Sequence, residues 1–359
     1  MVFQDLKKGM ELMNRVIHLF YVVVLCSAVI FNSTVYARSS PTAIDNACPV
    51  PNIRTDIRPN AGGQPIKVSV GIYMFDLTEI NDIGQNLNGD FGVVLSWVDP
   101  RLSYLEGCEI QIDKVWSPGL VFLNSGRKFT GRPKKVSIGP GGQVKYIQRY
   151  SGTFATYHDL NDFPFDKQSF RISLFSIEWW EEDVMLVVDE NVTGRHKRLD
   201  ISDWIIKGVE ATIGRYHDAS YDRIKSRYDF HIPAERIKSF YLWKIILPLC
   251  LVVAMSWCVF WINPALYGPQ IGLSATSMLT LIATIFATAN FVPKLGYLTV
   301  LDRFIVGSTI LVFLALVESL TTIYLVSQDK KELALRIDKF SRLIFPITFG
   351  TISFMVFFL

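Results

Sequence analysis

Four long apolar stretches fill the last third of the chain, after a middle region of short alternating runs. Residues 240–262, 270–292, 300–326 and 343–359 each approach the length of about 20 residues that a membrane-spanning helix needs. Between residues 66 and 238, apolar and polar positions alternate in runs such as KVSVGIYMF and FGVVLSWV, split by turn signals. No helical period intervenes to provide parallel crossovers. The pattern therefore predicts a multi-domain membrane protein, with an antiparallel β-sandwich followed by a four-helix transmembrane domain.

The N-terminal segment has the pattern of a secretory signal. Basic residues precede the apolar run 16–31, and small residues stand at Val35 and Ala37. This predicts a signal peptide over residues 1–37, with a retained anchor helix as the alternative. Residues 38–65, rich in Pro, Asn and Gly, are expected to form a flexible leader. Either interpretation of the first segment places the sandwich outside the cytoplasm.

Basic residues give an independent indication of orientation. Residues 327–342, between the third and fourth spans, are predicted to be a short, charged, helical linker. This linker carries Lys330, Lys331, Arg336, Lys339 and Arg342. Because basic loops stay in the cytoplasm, the sandwich and the C-terminus should both lie on the opposite side.

The second span has an unusual face. Wound as an α-helix, it places six small, polar and apolar residues on one stripe: Gly272, Thr276, Leu279, Ala283, Phe286 and Asn290. A mixed stripe in a membrane helix faces other helices or a watery space. Packing through small residues is one interpretation. The other is a pore lining with apolar constrictions at Leu279 and Phe286, which can gate by dewetting.

Composition excludes several classes of protein. Half of the residues are hydrophobic and only 19% are charged, which is too apolar for an ordinary soluble protein. The net charge of +3 comes without a basic stripe interleaved with aromatics, so no nucleic-acid partner is expected. The five cysteines show no metal-binding spacing, and no cofactor or metal is expected. Cys48 and Cys108 could pair in an oxidising compartment or remain two buried thiols.

Several motifs, in order, give the chain a family resemblance. They are Trp97, Asp99 and Leu102 in LSWVDPRL, VWSPGLVFLN at 115–124, FPFD at 163–166, FYLWKIILPL at 240–249, and NFVPKLGYLT at 290–299. Together they resemble the pentameric ligand-gated ion channels, the Cys-loop receptor superfamily, over about residues 66–359. The resemblance implies a homopentamer in a lipid bilayer, opened by a small-molecule agonist or by protons. The second span would line an axial pore for permeant inorganic ions.

Two departures narrow the resemblance to the prokaryotic type. Counting from FPFD, the two cysteines of the vertebrate disulfide would fall at Thr156 and Phe170, and the long cytoplasmic insertion of animal receptors is missing. The prokaryotic type implies a bacterial inner membrane, with the N-terminal domain and the C-terminus in the periplasm.

The resemblance also implies positions that couple the sandwich to the pore. These are Asp82, Ile83, Phe163, Pro164, Phe165, Asp166, Arg236, Pro293 and Lys294. Phe163 and Phe165 can pack between helix ends, and Pro164 stiffens the turn. Asp166 can pair with Arg236 or cap a backbone.

A hairpin at about residues 215–228 is expected to close over the agonist. The candidate ligand-binding aromatics are Trp179, Trp180, Tyr216 and Tyr221. Neighbouring Trp179 and Trp180 point in opposite directions on a strand, so at least one should belong to the core. Aromatics are missing at three positions where the family commonly has them, namely Gly92, Leu123 and Ile177, which disfavours an amine agonist. Protons are the other candidate, through His158, His217 or His231, although each histidine also fits an exposed residue without a role.

Ion selectivity and the competing classes of function complete the prediction. The sequence YGPQ at 267–270 has no carboxylate for a cation-selecting ring, whereas Glu178, Glu181, Glu182 and Asp183 could concentrate cations outside. Cations are slightly favoured. No spacing supports an enzyme site, and no inverted repeat supports a transporter. A non-conducting periplasmic sensor anchored by four helices is the main alternative.

Overall fold

The described part of the chain is a β-sandwich followed by four long helices. The computed structural model describes residues 48–60, 62–125, 134–199, 201–289 and 295–358. The predicted signal peptide, the first part of the leader, and the predicted site residues Asn290, Pro293 and Lys294 lie outside the described residues.

The sandwich consists of two sheets that share one hydrophobic core. Its strands are β1 (Ile66–Asn81), β2 (Asn86–Val98), β3 (Glu109–Gln111), β4 (Leu120–Phe122), β5 (Lys135–Ile138), β6 (Gln143–Ala155), β7 (Lys167–Ser176), β8 (Val184–Val188), β9 (Gly194–Arg195), β10 (Trp204–Ile206), β11 (Glu210–Asp218) and β12 (Arg223–Arg236). The first sheet has the order β3-β5-β6-β2-β1-β8, with β9 beside β1. The second has the order β10-β12-β7-β4, with β11 beside β12.

The alternation of apolar and polar residues builds the core. Phe91, Val93, Leu95 and Trp97 all point inward from β2 and are buried, as the period of two requires. Phe91 also meets Phe230 of the other sheet edge to face, with ring centroids 6.4 Å apart. The predicted β-sandwich is confirmed, and the alternation in FGVVLSWV corresponds to one buried face of this strand.

One edge of the first sheet differs from the predicted antiparallel order. Ile66 of β1 pairs with Val184 of β8, and Tyr73 pairs with Gly194 of β9, both in parallel. Parallel pairing requires only a connection long enough to return the chain in the same direction. Here the intervening strands provide that connection, so no crossover helix is needed.

Four helices after the sandwich are long and apolar enough to cross a membrane. They are α1 (Ser239–Trp261), α2 (Tyr267–Thr288), α3 (Val300–Ser327) and α4 (Lys331–Phe358). Within α1, residues Leu242–Ile246 form a π-helical turn just before Pro248. Because Pro248 has no N–H to donate to the carbonyl four residues earlier, the helix widens there.

The predicted linker between the third and fourth spans is largely part of α4. The helix begins at Lys331, so only residues 328–330 connect it to α3, and residues 331–342 form its first turns. Ala334, Asp338 and Ser341 of this part are buried on the same face as Phe345. A buried face with steps of four and three residues continues the helix through the charged segment.

Cys48 and Cys108 form a disulfide, with Cα atoms 5.7 Å apart. This decides between the two alternatives that the sequence left open. The bond fastens the first described residues to the segment that precedes β3.

Removing this disulfide should destabilise the sandwich. The bond closes a loop across a sequence separation of 60 residues, and crosslinks of this kind contribute about 2–4 kcal/mol by restricting the unfolded chain. We expect Cys48→Ser with Cys108→Ser to lower the free energy of unfolding by that amount in denaturant titrations of the purified protein. Cys258→Ser, which removes an exposed free thiol, is the control and should change nothing. Equal stability of all three proteins would contradict the expectation.

Candidate functional site

The predicted pore stripe lies on an uncovered face of α2. Leu279 is 69% exposed and Phe286 is 74% exposed in the single chain, and Gly272, Thr276 and Ala283 are exposed as well. The buried positions of the same helix lie elsewhere around it: Gln270, Ser274, Ser277, Leu281 and Thr288. The stripe is therefore not the face through which α2 packs within its own subunit.

The threonine hydroxyl groups of α2 donate hydrogen bonds to carbonyls of the same helix, four residues earlier. Thr276 donates to the Gly272 carbonyl at 2.7 Å, and Thr280 donates to the Thr276 carbonyl at 2.8 Å. On the packed face, the Ser274 hydroxyl donates to Ser319 of α3 at 3.0 Å. The small residues that pack helices together in α2 are thus serines on the buried side, and the exposed stripe is left for another contact or for water.

A buried ion-pair network joins the sandwich to α1. Arg236, at the end of β12, donates from Nε to Asp166 Oδ1 at 2.7 Å and from Nη2 to Asp166 Oδ2 at 3.1 Å. Its Nη1 donates to Asp82 Oδ2 at 2.7 Å. Burial favours the neutral form of Arg236, but the hydrogen bonds that it donates to both carboxylates keep its pKa above the usual value. The sequence-predicted pairing of Asp166 with Arg236 is present, and Asp82 completes a fork around the guanidinium.

The FPFD turn packs against the helices as well as against this network. Phe163 is buried and packs edge to face against Tyr241, with ring centroids 4.9 Å apart. The Arg236 guanidinium carbon lies over the Phe163 ring, 4.8 Å from its centroid. The Phe163–Pro164 peptide bond is cis. Phe165 meets Phe357 of α4, with centroids 5.6 Å apart. The two phenylalanines therefore contact different helices, α1 and α4.

The sequence analysis missed a direct link from this turn to α3. The Val300 N–H donates to the Asn161 carbonyl and the Leu301 N–H donates to the Phe163 carbonyl, each at 3.1 Å. The Tyr297 hydroxyl accepts from the Leu160 N–H at 3.1 Å. By contrast, Ile83 is exposed at its turn.

His158 is an additional member of the network, and the expectation of an exposed histidine is wrong for it. The side chain is fully buried. Its Nδ1 lies 3.1 Å from Asp82 Oδ1, and its Nε2 lies 2.7 Å from the Thr156 hydroxyl. Burial raises the pKa of the Asp82 carboxyl, but hydrogen bonds from His158 and Arg236 outweigh burial and hold this pKa below its usual value. No signal in the sequence TYHDL distinguishes such a histidine from a surface one.

Trp179 and Trp180 point in different directions, but they lie in the loop between β7 and β8 and not on a strand as predicted. Trp179 packs on the core, with its ring 5.7 Å from that of Trp116. Trp180 instead faces Tyr221, with ring centroids 5.4 Å apart. Tyr216 lies against Phe175, with ring centroids 5.0 Å apart. Phe175 was not among the residues predicted from the sequence. Trp180 and Tyr221 thus form one aromatic pair at the hairpin, Tyr216 forms another with Phe175, and Trp179 belongs to neither.

The acidic run near the hairpin is largely neutralised. Glu181 pairs with Arg215 at 3.0 Å, and Glu182 pairs with Arg223 at 3.2 Å. Asp183 pairs with Arg58 at 3.2 Å. Three of the four carboxylates that were expected to concentrate cations therefore already have a counter-charge within the chain.

Comparison with known proteins agrees with this geometry. Residues 52–236 match the neurotransmitter-gated ion-channel ligand binding domain, and residues 245–334 match the transmembrane region of the same family. A proton-gated ion channel from Gloeobacter violaceus is 25% identical over 297 residues, which cover 81% of this chain and 82% of the relative. The gamma-aminobutyric acid receptor subunit theta of Mus musculus is 28% identical over 282 residues, covering 75% of this chain and 44% of that subunit. The chain belongs to the neurotransmitter-gated ion-channel family, the pentameric ligand-gated channels of the membrane, whose members are not enzymes.

Proposed function

We propose that five identical copies of this chain form a channel whose axial pore is lined by the exposed stripe of α2. The observation that carries this proposal is the exposure of Leu279 and Phe286, two large apolar side chains that face away from the other helices of the subunit. Five-fold symmetry would bring the stripes together around one axis. Leu279 would form the central apolar ring and Phe286 the outer one, with Gly272 and Thr276 toward the inner end. Asn290, next along the stripe, stays a prediction.

The orientation in the proposal places the sandwich and the C-terminus in the periplasm of a bacterial inner membrane. Disulfides such as Cys48–Cys108 persist in oxidising compartments, which supports an external sandwich. The basic residues at the start of α4 support a cytoplasmic turn between α3 and α4. The relative from Gloeobacter violaceus supports the bacterial setting.

Protons are the ligand that the coupling network favours. With neutral His158, the carboxylates of Asp82 and Asp166 face one buried cation, Arg236, which leaves an excess negative charge. A proton on His158 would cancel this excess and add a donor toward Thr156. Because the pKa of Asp82 is lowered, its carboxylate stays charged at mildly acidic pH, and the stability that this charge contributes is lost only as the pH falls through the lowered pKa. The candidate proton acceptor in this network is therefore His158, the ring in contact with Asp82, and not Asp82 itself.

Replacing His158 should change the response to protons. We expect His158→Gln, which keeps one donor and one acceptor, to shift the pH of half-activation by at least about one unit, a tenfold change in proton concentration. The charged groups around the ring are Asp82 in direct contact and, behind it, Arg236 and Asp166. Proton-activated current in oocytes measures the shift. His217→Gln, at an exposed histidine paired with Asp222, is the control, and an equal shift in both variants would contradict the role of His158.

The experiment that tests the function itself is two-electrode recording of the whole chain. The bath would be stepped from acidic to alkaline pH, small amines would follow, and exchanges of sodium and chloride would give the reversal potential. A gated current supports the channel, and its reversal potential decides between the slightly favoured cations and anions. Silence from confirmed surface pentamers would leave the ligand unidentified, whereas silence from monomers would favour the alternative of a non-conducting sensor.

A further inference from the structure

Two aromatic rings at the hairpin already contact an ammonium group of the chain itself. We define the hairpin cage as these two rings, Phe175 and Trp180, together with Tyr216 and Tyr221, which pack against them. Lys225 of β12 stands directly opposite Tyr216 in the strand register. Its Nζ lies 4.6 Å from the centroid of Trp180 and 5.5 Å from that of Phe175.

The burial of Lys225 shows that the cage holds its side chain closely. Only 3% of its surface is exposed, and its Nζ donates to the Ile177 carbonyl. The neighbouring cations Arg215 and Arg223 form ion pairs with glutamates, whereas among the described residues no carboxylate lies within ion-pair distance of Lys225. Asp218 acts on Lys225 only at longer range, so two ring faces and one carbonyl are the groups in direct contact with its ammonium. These are the groups that recognise a free ammonium ligand.

A second cation strengthens the effect at Trp180. The Arg223 guanidinium lies 4.4 Å from the Trp180 ring centroid. Arg223 is balanced by Glu182 at 3.2 Å, so the cation in the hairpin cage without a carboxylate in direct contact is Lys225. An incoming amine would compete for the same ring faces and would be repelled by Lys225 at short range.

We propose that the hairpin cage is an ammonium-binding site whose ligand is Lys225 of the same chain, so that external amines are excluded while this lysine is in place. The inference rests on the ligand-binding hairpin of the proposed function. It explains how a hairpin with aromatic residues can belong to a channel that is opened by something other than an amine. Removing the charge of Lys225 should then open the cage to a free ammonium.

Tetramethylammonium is the probe that tests this. It would be titrated calorimetrically into the purified full-length oligomer, with sodium chloride at equal ionic strength as the reference. We expect no saturable binding to the unmodified chain at millimolar concentrations. Lys225→Met, which keeps the packing of the aliphatic stem, should bind at least about tenfold more tightly. Lys225→Arg retains the charge, so its hairpin cage should still exclude tetramethylammonium and show no saturable binding.

Two further variants separate the cage from general effects of charge. Lys207→Met removes an exposed lysine paired with Glu235 and should gain no binding. Lys225→Met combined with Trp180→Ala should lose the binding gained by the first change. Lys225→Leu is the substitute if the methionine variant does not assemble.

The outcomes are decisive in either direction. Tetramethylammonium binding to the unmodified chain as tight as to Lys225→Met would overturn the inference, and so would a folded Lys225→Met protein without any gain. Because the readout is binding and not current, a chain that conducts normally can still fail this test. A chain that never conducts can still pass it.

Discussion

Replacing Arg236 with methionine should abolish gated current and lower the free energy of unfolding by about 3–5 kcal/mol. The Arg236 side chain is buried and makes three hydrogen bonds to Asp82 and Asp166, between 2.7 and 3.1 Å long. Methionine fills much of the volume but leaves the buried carboxylate of Asp166 and the half-buried one of Asp82 without their cation. Removing one partner of a buried ion pair lowers the free energy of unfolding by far more than the intact pair contributes, because the remaining charge is poorly solvated.

Both parts of the Arg236 prediction can be measured on one set of variants. Denaturant unfolding of the purified protein gives the free energy, and recordings normalised to surface protein give the current. Arg236→Lys keeps the charge but cannot form the two-pronged contact with Asp166, so it should lie between the two extremes. Arg149→Met is the matched control, because Arg149 pairs with Asp90 on the exposed surface and its loss should leave stability unchanged. Normal current from a stable Arg236→Met would show that the network is dispensable for gating.

The expected loss of current follows from where the network lies. Asp82 belongs to the turn after β1, Asp166 to the turn before β7, and Arg236 to the strand that leads into α1. In the same FPFD turn, the Phe163 carbonyl accepts a hydrogen bond from the N–H of Leu301, the second residue of α3. A small rotation of the sandwich would therefore push on α1 and α3 together. Transmission to α2 through Pro293 and Lys294 stays a prediction.

Sequence reasoning succeeds here where a local period or a match to a family motif is sufficient. The alternation in FGVVLSW placed Phe91 and Trp97 on the buried face, since a period of two allows only two faces. The pairing of Asp166 with Arg236, 70 residues apart, was one of two alternatives, and it came from the resemblance of FPFD to the family motif. The strand face follows from a few neighbouring residues, whereas the ion pair required the resemblance.

The missed features depend on contacts between distant segments. His158 reaches Asp82 across a sequence separation of 76 residues, and no local pattern determines whether a histidine in a turn is buried. Lys225 enters the hairpin cage because β7 places Phe175 beside the hairpin, and that depends on strand register. The parallel edge at β8 likewise depends on the path of the chain through both sheets. The alternation along a strand predicts which face of the sheet a side chain lies on, but not which residues it contacts there.

Leu279→Ser should shift the channel toward the open state, with at least about a tenfold lower requirement for its ligand or a standing current without any. An apolar ring closes a narrow pore because water leaves it and ions cannot shed their hydration shells. A serine hydroxyl at the same position would keep the ring wet. Leu279 is exposed on α2, so this change should cost little stability. Macroscopic current and its ligand dependence, normalised to surface protein, measure the shift.

Leu281→Ser is the matched control because it makes the same substitution two residues further along the same helix. Leu281 is fully buried in the cluster that joins α2 to α1 and α3. A hydroxyl there would lose apolar contacts and be buried without an assured partner, which costs stability rather than changing the pore. We expect Leu281→Ser to reduce the yield of folded pentamer without raising the standing current per channel. If the two variants exchanged these effects, the pore axis would have to lie on the other face of α2.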